Sequence, residues 1–102
     1  MKRAIMMETQ DNVATSLSTI SVGDEVEILS SKQELVQRIK AKDTLPLGHK
    51  IALSDIKKGG EIRKYGAIIG RALKDIALGE YVHIHNVKSN RLPLTNHMLS
   101  YK

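Results

Sequence analysis

Residues His49 to Val87 read HKIALSDIKKGGEIRKYGAIIGRALKDIALGEYVHIHNV, and the stretch repeats itself at a step of 20 residues. Ala52, Leu53, Asp55, Ile56 and Gly59 recur as Ala72, Leu73, Asp75, Ile76 and Gly79, and Ile62 is answered by Val82. A fainter echo upstream repeats the same spacing through Ile20, Gly23, Asp24 and Val26. Each copy reads as an apolar strand, a turn written D-I-x-x-G, and a second short strand. Glycine suits a turn position of positive φ, and an aspartate just before it can bond to its own backbone. The step is too short for the common helical repeats, and two copies with an echo are too few for a solenoid. A duplicated β-unit within one small all-β domain is the expectation, with residues 51–66 and 71–86 related by a pseudo-twofold axis.

Outside the repeat the reading is plainer. Glu25 to Leu29 alternates charged and apolar residues as a half-buried strand does, after a turn at Ser21-Val22-Gly23-Asp24. Residues 31–42 fit a capped helix through Ser31 and Glu34, and equally an alternating strand. Asp43 to Gly48 is a loop that delivers His49 to the next strand. Strands are expected at 50–53, 60–64, 67–73 and 80–86. The domain is placed at 13–87, with a flexible N-terminus at 1–12 and a C-terminal tail or partner-binding arm at 88–102.

A chain of 102 residues with 41% apolar content supports one modest core. The absence of cysteine excludes disulfides, thiolate nucleophiles and cysteine-ligated metals, and makes the cytoplasm the default compartment. No apolar run approaches the length of a membrane span or of a signal peptide core, so a soluble chain is expected. The net charge of +5 points to an anionic partner. With no Phe or Trp and only three tyrosines, there is little surface for stacking bases, and nucleic acid is the less favoured partner.

The residues that a scaffold repeat does not explain are the candidates for chemistry. His83 and His85 stand two apart on an expected strand, which puts both on one face about 7 Å apart, suited to share an anion or a metal. The same spacing also fits an ordinary surface pair. His49 and Lys50 follow a glycine where backbone can approach a ligand closely, and Lys64 and Tyr65 offer an ammonium and a phenol at a turn. A loop histidine, a solvated lysine and a core-covering tyrosine are the plainer alternatives. Asp55 and Asp75 resemble a carboxylate pair for acid–base work, yet each precedes I-x-x-G, where a turn explains it, and both are assigned to structure.

The strings GHKIAL (48–53), KYG (64–66), IGRA (69–72) and GEYVHIHN (79–86), in this order, resemble the N-terminal SAF-type domain of the altronate and galactarate dehydratase family. The resemblance runs from about Asp11 to Val87, includes the alpha subunit of sulfolactate sulfo-lyase, and favours a strand over a helix at 31–42. It implies a β-clip-like fold and a small subunit of a sugar-acid hydro-lyase, acting with a large catalytic subunit and inactive alone. It further implies catalytic roles for His85 and His83, and substrate binding by His49, Lys50, Lys64, Tyr65 and Asn86. A divalent metal of the iron or manganese type is then held mainly by the partner. The sulfo-lyase subunit and a non-catalytic SAF-type binding module are the alternatives, and a homo-oligomer is left open.

Overall fold

A computed structural model describes residues 1–89. Nine strands form, and no helix is present among the described residues: β1 Lys2–Ile5, β2 Val13–Ser16, β3 Glu25–Leu29, β4 Leu35–Lys40, β5 Lys50–Ala52, β6 Glu61–Lys64, β7 Ala67–Ala72, β8 Tyr81–Val82 and β9 Val87–Ser89. They make a six-stranded sheet in the order β4-β3-β1-β2-β5-β8 and a three-stranded sheet β6-β7-β9. All pairings are antiparallel except β1 with β3. The all-β expectation is met, and residues 35–40 are strand rather than helix.

The repeat is expressed as hydrogen bonds exchanged between its two copies. Ile56 and Ile76 face each other across an isolated antiparallel bridge, each amide donating to the other's carbonyl at 2.7 Å. Around that centre the turn and strand bonds have counterparts 20 residues away. Gly59 N donates to Ala72 O and Gly79 N to Ala52 O, while Ala72 N and Ala52 N donate to Gly60 O and Glu80 O. The strand registers obey the same exchange: Lys50 opposite Val82 matches Ile62 opposite Gly70, and Ile51 opposite Tyr81 matches Glu61 opposite Arg71. The two aspartates are structural, but each serves the other copy rather than its own turn. Asp55 Oδ1 accepts from Leu78 N and Asp75 Oδ1 from Lys58 N, both at 2.8 Å.

Four turns share one construction. Ser21–Asp24, Pro46–His49, Lys57–Gly60 and Ala77–Glu80 each close with an N–H from the fourth residue to the first carbonyl. In each the third residue is a glycine, with φ between 84° and 91° (Gly23, Gly48, Gly59, Gly79), as a type II turn requires. The segment Leu45 to Gly48, read from sequence as a loop, is thus a further copy. Leu45 pairs with Ile20 through two reciprocal bonds, as Ile56 pairs with Ile76.

Side chains alternate along β2 and β5, so these strands serve two cores. Ala14 and Ile51 face one cluster with Ala4, Val26, Ile28 and Leu45. Val13 and Ala52 face a second cluster with Ile56, Ile62, Ile76 and Val82.

Two boundaries differ from expectation. The first twelve residues are not a loose terminus: β1 lies inside the large sheet between β3 and β2, with Ala4 fully buried. Within the short run Ala4 to Met7, Ala4 and Met6 join the larger core, while Met7 is exposed. At the other end, β9 takes Val87–Ser89 into the small sheet against β7, where a tail was expected from residue 88. The rest of that tail lies outside the described residues.

The turn glycines give a graded test. A methyl group at Gly23 meets nothing within 4 Å, whereas one at Gly79 runs into the Lys40 carbonyl. Gly23→Ala is expected to cost about 1–2 kcal/mol for left-handed backbone alone. Gly79→Ala should cost distinctly more, above roughly 3 kcal/mol, because rigid backbone must also move. Urea midpoints of the two variants measure the difference.

Candidate functional site

The site is built where the second copy departs from the first. In the first copy, Glu61 and Arg63 on β6 form an ion pair at 3.1 Å. The equivalent positions in the second copy are Tyr81 and His83, whose rings stack at 5.5 Å with an angle of 9° between planes. His49, at the end of its type II turn, closes on both: its ring centre lies 4.9 Å from that of His83 and 5.6 Å from that of Tyr81. The Tyr81 hydroxyl lies 2.6 Å from His49 Nδ1. His85 completes the group, its ring 5.4 Å from Tyr81. Three histidines thus surround one tyrosine.

The histidine pair does not ride on a strand as the sequence suggested. β8 ends at Val82, and residues 83–86 form a turn in which Asn86 N donates to His83 O at 3.1 Å. The cause is the Asn86 side chain: its Oδ1 accepts the His83 N–H at 2.9 Å, taking the donor that a longer strand would use. Its Nδ2 donates to Tyr81 O at 2.8 Å. Asn86 is 2% exposed with both ends of its carboxamide bonded to backbone, so burial and bonding account for it as a scaffold residue. Asn12 does the same for the first copy, accepting from Arg63 N at 2.7 Å and donating to Glu61 O at 2.8 Å. Turn 83–86 still delivers both histidines to Tyr81, by a different route.

Tyr65 is not brought to this cluster. It sits at the β6–β7 hairpin tip with φ of 57°, followed by Gly66 at 75°. Such a turn is strained for tyrosine, and the buried Asp11 carboxylate holds it by accepting from Tyr65 N at 2.9 Å and Gly66 N at 2.7 Å. The ring is 59% exposed, and its charged neighbour is Lys64, whose Nζ lies 5.0 Å from the ring centre. Lys64 also acts on the site: its charge, after burial, pushes Lys50 down from the ordinary value of 10.5. Among the described residues neither lysine has a carboxylate partner in an ion pair. Lys50, an ammonium without a carboxylate partner whose charge is felt by His83, makes the site suited to a carboxylate, and Lys64 adds its charge from the hairpin.

Lys50, Ile69, His83, Ile84, Val87 and Ser89 line an open depression of about 240 Å³. That is below the roughly 300 Å³ at which small-molecule sites usually begin, so a sugar acid would not be enclosed by this chain alone. No three His, Asp or Glu side chains among the described residues are arranged to hold a metal ion. The donors present do not fit a complete metal site, and His49 Nδ1 is already engaged by Tyr81.

Of the residues singled out in the sequence, His49, His83 and His85 gather around Tyr81, Lys50 lines the depression with His83, and Lys64 lies with Tyr65 at the hairpin; Tyr81 and Asp11 were not singled out. Tyr81 had a usable signal, since it takes the position of Glu61 in the repeat and so marks where the copies diverge. The support that Asp11 gives to Tyr65 and Gly66 had none, because those partners lie more than 50 residues away, whereas its bond to Glu8 N is local.

The chain matches the altronate/galactarate dehydratase SAF domain over residues 2–90 and belongs to that family. It is similar to the altronate dehydratase of Bacillus subtilis, 41% identical over 90 residues, covering 88% of this chain and 17% of that protein. The altronate dehydratase of Escherichia coli is 41% identical over 86 residues, covering 84% of this chain and 16% of that protein. The (2R)-sulfolactate sulfo-lyase subunit alpha of Paracoccus pantotrophus is 43% identical over 54 residues, covering 53% of this chain and 81% of that subunit. The chain therefore spans about a sixth of the altronate dehydratases that it matches.

Asn86 and His85 separate scaffold from site. Asn86→Ala leaves two backbone groups without partners and should lower stability by about 1–3 kcal/mol. His85→Ala, at an exposed position, should change it by less than about 0.5 kcal/mol. Chemical denaturation checks both.

The titration of His83 is a second test. Desolvation, then the charges of His49, Lys50 and His85, hold its imidazole below the ordinary value of 6.5. The unfolded chain then takes up this proton first, so the contribution to stability is intact above pH 6.5 and is lost as pH falls through and below it. In NMR titrations His83 should titrate below 6.5, and Lys50→Met should move its midpoint upward.

Proposed function

We propose that this chain is the SAF-domain subunit of a hydroxy-acid lyase and acts with a larger catalytic subunit to eliminate water from an anionic sugar acid of the altronate or galactarate type. The observation that carries the reading is the cluster of three histidines around Tyr81, one of which, His83, lines with Lys50 an open depression too small to enclose a substrate. Elimination from a hydroxy acid needs an anchored carboxylate, a group that takes the α-proton and a group that assists departure of the β-hydroxyl. Lys50 and Lys64 supply cations for the carboxylate. His83, kept neutral by its surroundings, is suited to accept or relay a proton, and His85 reaches outward from the turn to where a partner would close the site. The larger subunit supplies the remaining walls and holds the divalent metal expected of such a lyase, in the cytoplasm.

A second reading has its own support. This chain covers 81% of a stand-alone sulfolactate sulfo-lyase alpha subunit, so elimination of sulfite from a sulfonated hydroxy acid uses the same anchoring logic with a different leaving group.

Purified alone, the chain should not turn over altronate, galactarate or sulfolactate, and activity should appear on addition of the large subunit. Within the assembled enzyme, His85→Ala should lower kcat/KM by at least about tenfold, equivalent to roughly 1.4 kcal/mol, with subunit association unchanged. Turnover by the isolated chain, or full activity of the variant, contradicts the reading.

A further inference from the structure

Tyr81 is the best-anchored residue of the site and carries no role so far. Its amide donates to Asp43 Oδ2 at 2.9 Å, and its carbonyl accepts from Asn86 Nδ2 at 2.8 Å. Its ring packs partly into the larger core. The backbone and the ring base are therefore fixed, and the hydroxyl projects to a determined point. At that point stands His49 Nδ1, 2.6 Å away. His49 is itself held by its main chain, which donates to Pro46 O and to Ser16 Oγ, both at 3.2 Å.

Either group could donate, and the shortness of the contact favours the hydroxyl. Hydrogen bonds from N–H to oxygen run about 2.7–3.2 Å, whereas those from hydroxyls run about 2.5–3.0 Å, so 2.6 Å suits a phenol O–H donating to a bare ring nitrogen. A neutral imidazole that accepts at Nδ1 must carry its proton at Nε2. We propose that Tyr81 is a positioning residue whose hydroxyl fixes His49 in the Nε2–H form, so that this N–H donates to an oxygen of an anionic ligand beside Lys50. The site then gains a directed neutral donor next to the lysine charge, which orients a carboxylate or hydroxyl rather than only attracting it. Stacking of His83 on the same tyrosine ring ties the second imidazole to the same anchor. The part this donor plays in turnover rests on the lyase reading above; the protonation pattern of His49 does not.

The test has two arms. Long-range proton–nitrogen correlation on the full chain with labelled histidine, at pH 8, should show His49 protonated at Nε2 and a protected Tyr81 hydroxyl proton coupled to Nδ1. Tyr81→Phe, which keeps the ring, should remove that proton and shift the Nδ1 resonance toward its free value. A His49 protonated at Nδ1, or an Nδ1 resonance indifferent to Tyr81→Phe, overturns the proposal. In the assembled enzyme, Tyr81→Phe should lower kcat/KM about tenfold, yet add nothing in a His49→Ala background, because it acts through His49. Losses that multiply in the double variant show that Tyr81 does not act through His49 and overturn its positioning role. If the NMR pattern holds while no large subunit confers lyase activity, the lyase reading fails and the assignment of Tyr81 to His49 stands.

Discussion

The structure depends on two reciprocal hydrogen bonds between Ile56 and Ile76. This pair is the point about which residues 51–66 and 71–86 exchange, and the aspartates, turn glycines and strand registers follow from it. Each turn is capped by an aspartate of the opposite copy, so neither copy is complete alone. That mutual dependence makes cooperative folding of the repeat a physical necessity, since an isolated copy would leave its turn amides and its apolar isoleucine without partners. The second core forms where the copies meet and encloses both isoleucines.

A duplicated scaffold frees one copy for a new task. Both copies have the backbone at their last short strand bound by an asparagine carboxamide, the half-buried Asn12 for the first and the buried Asn86 for the second. With backbone geometry secured by asparagine, the side chains between can differ. The first copy presents a Glu61–Arg63 ion pair and the second presents Tyr81 and His83. His49 enters the same place because its own turn belongs to the same type, so the site draws on two of the four type II turns. Among the described residues Lys50 beside it lacks an acidic partner, which leaves the site electrostatically incomplete until an anion or a partner surface arrives.

Much of this was legible in the sequence, for local reasons. Glycine three residues after an isoleucine is a conformational requirement, and it located three of the four turns. The fourth was hidden because Leu45 is preceded by Asp43-Thr44 and followed by Pro46, which reads as a plain loop, although the spacing from Leu45 to Gly48 is the same. What could not be read were bonds between distant residues. Asp11 supports Tyr65 across the fold, and β1 is buried by strands that arrive later in the chain, so neither Asp11 nor Lys2–Ile5 carries a local mark of its role. Alternation extended β8 to Asn86 because the pattern of YVHIHN is that of a strand. The amide of His83 is claimed by a side chain instead, and a competition between carboxamide and ladder is invisible to periodicity.

The central claim is that the ring cluster is one wall of a site that a second protein completes. Hydrogen–deuterium exchange of the chain with and without the proposed large catalytic subunit tests this directly. The account expects new protection at Gly48–Lys50 and at His83–His85, with the β4 edge at Leu35–Lys40 unchanged. Protection confined to β4, or none at the histidine turn in a complex that forms and turns over substrate, would contradict it.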